Sequence, residues 1–125
     1  MRVTLTGSAK VTANKRATFK VSVINGQSNP CLLDVNPDTV VVKIYSGSDR
    51  IWTTGNCDRW LGKAITGQEL KPEASVGWSI DWPGQRSHPG CRLVGGLRQG
   101  TYVATAQLTL DKRNATPVQL VMRVT

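Results

Sequence analysis

ATFKVSVIN, residues 17 to 25, decides the fold. Ala17, Phe19, Val21 and Val23 fall on one side of an extended chain, and Lys20 and Ser22 on the other. Side chains of a strand point to alternate faces, so this period of two predicts a half-buried β-strand. The same period recurs outward in both directions. RVTLT places Val3 and Leu5 together; TVVVKIYSG places Val40, Val42 and Ile44 together. SVGWSIDW aligns Val76, Trp78, Ile80 and Trp82. GTYVATAQLTL aligns Tyr102, Ala104, Ala106, Leu108 and Leu110, and PVQLVMRV aligns Val118, Leu120, Met122 and Val124. CLLDV, residues 31 to 35, reads as a further short strand.

Turn chemistry separates these runs. Asn25-Gly26, Ser28-Asn29-Pro30, Asn36-Pro37-Asp38, Ser46-Gly47-Ser48-Asp49, Pro83-Gly84 and Gly95-Gly96 are turn or loop signals, and Asn14–Arg16 and Lys112–Asn114 read as short connections. One or two helical turns are expected at most, over residues 58–64. Regularly spaced short strands with turns between them predict an all-β chain: an immunoglobulin-like antiparallel β-sandwich of about seven to eight strands. The 125 residues are read as one domain, large enough to bury its own core.

The formal net charge is +8, which suits anionic partners. The cations are spread along the chain without a block of like charge, so a solvated basic surface is the plainer reading. The start, MRVTLTGSAK, lacks the apolar stretch of a signal peptide. We read the chain as a soluble piece of a longer, membrane-anchored protein, with the anchor outside this chain; the alternative is a cytoplasmic protein.

Several stretches taken in order resemble a known group. They are F-x-V-x-V-x-N (Phe19 to Asn25), SGSDRIW (Ser46 to Trp52), ELKP (Glu69 to Pro72), WSIDWPG (Trp78 to Gly84) and LRQGTY (Leu97 to Tyr102). Together they resemble the bacterial BsuPI-like, intracellular-proteinase-inhibitor-type immunoglobulin-like domains. They are more similar still to extracytoplasmic domains of actinobacterial membrane proteins. The resemblance implies a sandwich fold, an envelope location and, through the inhibitor relatives, protease inhibition as one alternative activity.

The three cysteines, Cys31, Cys57 and Cys91, lie at strand ends or in polar loops rather than mid-strand. That placement points to a disulfide and an oxidising compartment. Cys57–Cys91 is the expected pair, tying SGSDRIWTTGNCDRW to the RSHPGC loop. Cys31 is then left over, unbridged, although pairing with Cys57 or with a group outside this chain stays open.

Catalytic parts are sparse, and no enzyme is expected. His88 is the sole histidine, and it has no evident orienting acid. No carboxylate pair and no phosphate-binding glycine loop is present. Three cysteines plus His88 could form a zinc site, but Cys31 and Cys57 lack the close-paired spacing that such sites use. No metal or cofactor is expected. Nucleic-acid binding is the second alternative, driven by charge alone, without the interleaved aromatics of known single-strand platforms. Asn114-Ala115-Thr116 is a formal glycosylation sequon.

Trp52, Trp78 and Trp82 are expected at the core or its edge. Tyr102 is expected to pack its ring inward and hydrogen-bond its hydroxyl to nearby backbone. The candidate contact set on and beside residues 46–60 is Arg50, Trp52, Arg59, Trp60 and His88, since Trp and Arg dominate binding hot spots. The expected partner is a protein or an anionic envelope polymer.

Overall fold

The computed structural model describes residues 1–110, 113–114 and 117–125, with backbone alone at 110, 113 and 114. Part of the Asn114–Thr116 sequon and of the Lys112–Asn114 connection thus lies outside the described residues. The strands are β1 (Arg2–Gly7), β2 (Lys10–Val11), β3 (Ala17–Ile24), β4 (Cys31–Val35), β5 (Val40–Ser46), β6 (Asp49–Thr53) and β7 (Ile65–Leu70). They continue with β8 (Ser75–Trp82), β9 (Arg86–His88), β10 (Arg92–Val94), β11 (Gly100–Leu110), β12 (Arg113–Asn114) and β13 (Val118–Val124). Two 3-10 turns, Thr54–Asn56 and Asp58–Leu61, are the only helical pieces among the described residues.

A small sheet has the order β1-β3-β8, and a large one the order β2-β13-β11-β5-β6, with β12 beside β11. Two short pairs, β4-β7 and β9-β10, complete the structure. All ladders are antiparallel except β2 with β13, which is parallel. The expected alternation holds in the six long runs. Phe19, Val21 and Val23 of β3, Trp78, Ile80 and Trp82 of β8, and Tyr102, Ala104, Ala106 and Leu108 of β11 are all buried. Phe19 stacks near Trp82 at 6.5 Å, and Trp82 meets Tyr102 at 6.3 Å, so one aromatic column joins the two sheets. Burying side chains of this size contributes about 2–3 kcal/mol each.

Three departures from the sequence reading stand out. The short pieces raise the strand number above the expected seven or eight, because β2, β9, β10 and β12 hold only two or three residues each. The helical turn at residues 58–64 stops at Leu61, where Gly62 turns left-handed at φ 78°. A Cβ on Gly62 would sit 2.7 Å from the Ser79 carbonyl oxygen, so only glycine lets the backbone approach β8 this closely. Third, residues 65–70, ITGQEL, form a strand that their mostly polar composition does not announce. That strand pairs with β4 and buries Leu70 against the core.

At the lower end of β3, Asn25 is fully buried. Its Nδ2 donates to the Asn29 and Leu70 carbonyls, each at 2.9 Å, and its Oδ1 accepts from the Gln27 N–H at 3.0 Å. Its backbone N–H donates to the Ala74 carbonyl, and its carbonyl accepts from the Glu73 N–H. A residue read as a turn former therefore ties residues 26–30 to residues 70–74. Every buried polar atom of that amide has a partner, as a buried amide requires.

Candidate functional site around the disulfide

The stretch from β6 to Gly62 leaves the edge of the large sheet and reaches β8 at the edge of the small one. It departs through a bulge. Tyr45 pairs with Arg50 but Ile44 pairs with Trp52, so Ile51 is an extra residue in β6. Past the bulge, the Thr54 hydroxyl accepts from the Val42 N–H at 3.1 Å, replacing a lost ladder bond. The Thr53 hydroxyl caps the first 3-10 turn by accepting from the Gly55 N–H at 3.1 Å.

Cys57 and Cys91 are joined by a disulfide, as the sequence predicts, with Cα atoms 4.6 Å apart. Residues 86–91, expected as a loop, instead open a β9–β10 hairpin that runs to Val94 and whose tip carries the bridge. Around the bridge, the Cys91 N–H donates to the Asn56 carbonyl at 2.9 Å. Ser87 Oγ donates to Asn56 Oδ1 at 2.7 Å and accepts from the Thr53 N–H at 3.2 Å. Ser87 is buried although its neighbours Arg86 and His88 are not, because it substitutes for a ladder partner along β6. Cys91 itself is left-handed at φ 63°, a conformation a non-glycine residue keeps only when its surroundings fix it. Cys31 is unbridged and half-buried, with its Sγ 3.9 Å from the Leu70 carbonyl oxygen.

The candidate contact residues divide. Arg50, Arg59 and His88 are exposed. Trp52 is 0 % exposed, so its expected place in the core stands and its place in the contact set is corrected. The bulge at Ile51 is the cause: strict alternation would put Trp52 on the same side as exposed Arg50. Trp60 is half-buried and stacks on Trp52 with ring centroids 5.5 Å apart, so only part of its ring is open to contact. The 3-10 turn folds it back over the core instead of holding it out. A shallow depression remains at the bridge, lined by Asn56, Asp58, Arg59 and Gly90 among others.

A second small cavity lies at the Gly47 end, between Ser46, Asp49, Arg86, Leu97, Arg98 and Tyr102. Arg86 grips Asp49 with two hydrogen bonds, at 3.0 and 2.8 Å. The bonds from Arg86 hold the Asp49 carboxyl below the ordinary carboxylate range. Tyr102 is buried and its hydroxyl donates to the Arg98 carbonyl at 2.7 Å, the corner contact the sequence predicts. Burial raises its phenol above the usual tyrosine range. The second cavity was not legible in the sequence, because Asp49 and Arg86 meet only when β9 lies along β6.

Among the described residues, no three of His, Cys, Asp and Glu lie together in a way that would hold a metal ion. None of the helical pieces among them is long and apolar enough to cross a membrane.

No family model matches the chain, and no curated protein matches it. Solved structures do. The CARDB domain of a Pyrococcus furiosus protein, crystallised in complex with di-metal ions, superposes with a TM-score of 0.54 at 16% identity, over 98% of this chain and 85% of that one. A mutant β-glucosidase from Listeria innocua, in complex with laminaribiose, gives 0.53 at 7% identity, over 99% of this chain and 16% of that one. A Pseudomonas fluorescens alkylpurine DNA glycosylase, bound to DNA containing an abasic site analog, gives 0.50 at 10% identity, over 98% of this chain and 30% of that one. The fold is an immunoglobulin-like sandwich. At these identities the likeness speaks for this sandwich alone, and the two enzymes each match over a minor part of their length.

Proposed function

We propose that this immunoglobulin-like sandwich is a non-catalytic binding module that works outside the cytoplasm and holds an anionic polymer of the cell envelope. The observation that carries the reading is the surplus of unpaired cations. Among the described residues, only Arg16 and Arg86 form ion pairs, with Asp81 and Asp49. The other described lysines and arginines are unpaired, and none of them is buried. Such a surface attracts polyanions. The Cys57–Cys91 disulfide supports an oxidising compartment. The sequence resemblance to extracytoplasmic actinobacterial domains supports the same location, with anchorage by a segment outside this chain.

The inhibitor alternative asks for a protruding, extended loop. The segment that the disulfide fixes is instead coiled against the core, with Leu61 buried and Trp60 stacked on Trp52. The 3-10 side of the bridge therefore does not favour that alternative.

Two measurements test the proposal. Intact mass with and without reductant, on protein purified without reductant, reads the bridge as a loss of two hydrogens; a fully reduced product removes the envelope location. Titration with deacylated poly(glycerol phosphate) at low and high salt reads the binding. Salt-sensitive association is expected, and no association at any ionic strength overturns the proposed function.

A further inference from the structure

We infer that the outward face of the large sheet, rather than the disulfide region, is the surface on which the polyanion lies, and that its ligand is a flexible phosphodiester polymer with saturated spacers. The inference rests on the function proposed above and places it.

The ladder registers put the relevant side chains side by side. Lys10 of β2 pairs with Arg123 of β13, and both are exposed. Along the next row, Val121 pairs with Val103, Val103 with Tyr45, and Tyr45 with Arg50. The row below joins Gln119 to Thr105 and Thr105 to Lys43. All these residues alternate with the buried set of their strands, so they share the outer face. Strands lie about 4.8 Å apart and successive rows about 7 Å apart, so the four cations bracket an apolar row on one sheet face.

Two features separate this face from an ordinary solvated one. It has a single sign: among the described residues, the only acid on these five strands is Asp49, at the hairpin turn and gripped by Arg86. It also has an apolar middle: Val121 is 59% exposed in the centre of a strand, beside half-buried Val103 and Tyr45. The outward face of the small sheet has neither feature. There Asp81 accepts from the Thr18 hydroxyl at 2.8 Å and pairs with Arg16, among Ser and Thr neighbours.

Cations flanking an apolar row match a chain in which phosphates alternate with polyol or sugar carbons. Phosphates meet Lys10, Arg123, Lys43 and Arg50, while the carbons lie on Val121, Val103 and the Tyr45 ring. A folded protein partner would bring its own mixed charges to a face that offers one sign. Single-stranded nucleic acid needs successive aromatic platforms for its bases, and this face has one aromatic.

The test is calorimetric titration of the intact domain with deacylated poly(glycerol phosphate), alongside random single-stranded DNA. The wild type should bind the polymer with an affinity that falls as salt rises. Lys43→Glu/Arg123→Glu should weaken binding by about tenfold or more, and Arg59→Glu at the disulfide by less than about threefold. Tyr45→Ala should weaken binding while leaving the salt dependence unchanged. The circular-dichroism spectrum of each variant should match the wild type and each should still melt cooperatively above the titration temperature, with Tyr45→Ala, which removes a half-buried ring, melting lower than the charge variants. Equal binding by the double variant, with loss in Arg59→Glu, overturns the sheet-face assignment and leaves the proposed function standing. DNA binding as tight as polymer binding overturns the ligand class. Absence of polymer binding by the wild type overturns the proposed function itself.

Discussion

Two cross-ties hold this sandwich, and they use opposite chemistry. On one side, the Cys57–Cys91 bond fixes the 3-10 segment to the β9–β10 hairpin. At the far end of β3, the buried Asn25 amide fixes residues 26–30 to residues 70–74 by hydrogen bonds alone. The first constrains the unfolded chain, so its benefit depends on the loop it closes and on the redox state. The second exists only in the folded state and depends on every partner being in place. One tie can be switched by a thiol; the other cannot.

The largest expected effect comes from cutting the covalent tie. Cys57→Ser/Cys91→Ser releases a closure across 34 positions of sequence, worth about 3–4 kcal/mol in the chain-entropy account. Equilibrium urea unfolding should show the same loss for the wild type in reductant. If the double variant is as stable as the oxidised wild type, the bridge is no stabilising tie. Cutting the amide tie comes next. Asn25→Leu leaves the Asn29 and Leu70 carbonyls and the Gln27 N–H without their partner, which costs about 2–3 kcal/mol. That loss should be the same with and without reductant, and it should add to the cysteine loss within about 0.5 kcal/mol, since the ties share no partner. Strong non-additivity would mean that the two ties are one cooperative unit.

Smaller effects test the Gly47 end, which has a tie of each weaker sort. Tyr102→Phe removes one neutral hydrogen bond to the Arg98 carbonyl and should lower stability by about 1 kcal/mol in urea unfolding. The Asp49–Arg86 pair is exposed and should matter least. The Asp49 carboxyl is lowered by its hydrogen bonds to Arg86, so the pair's contribution is present above the ordinary Asp range, about pH 4, and is lost as pH falls through the lowered value. Asp49→Asn should remove that acid-dependent part, read by carbon NMR titration and by stability below that range. An Asp49 titration at the ordinary Asp value would show that Arg86 does not hold it.

The contrast also marks what could be read from the residues. Six runs of period-two alternation carry the sheets, and each keeps its apolar side inward, because a sheet with one buried face leaves no other register. The pairing of Cys57 with Cys91 and the inward Tyr102 were legible for related reasons: placement at strand ends, and a tyrosine at the start of a late strand. Asn25 was legible only as a turn former, since nothing local reveals that Leu70 and Asn29 converge on it. The candidate contact set failed at Trp52. One extra residue in β6 turned Trp52 inward, and a 3-10 turn laid Trp60 over it. A bulge and a tight turn are set by tertiary closure onto β8, and alternation carries no sign of either. The basic sheet face needed the registers, because its cations come from four separate strands.

The parallel pair β2–β13 has a bearing on the timing of folding. Residues 9 to 13 are bonded along residues 123 to 125, and the contact between Val11 and Thr125 spans 114 positions of sequence. β13 also pairs with β11 from Gly100 to Ala106. The large sheet therefore cannot be completed until its last strand is available. Chains dominated by such distant pairings fold in milliseconds to seconds rather than microseconds. During synthesis the earlier strands wait with this edge of β11 open, so closure of the large sheet is expected to come late.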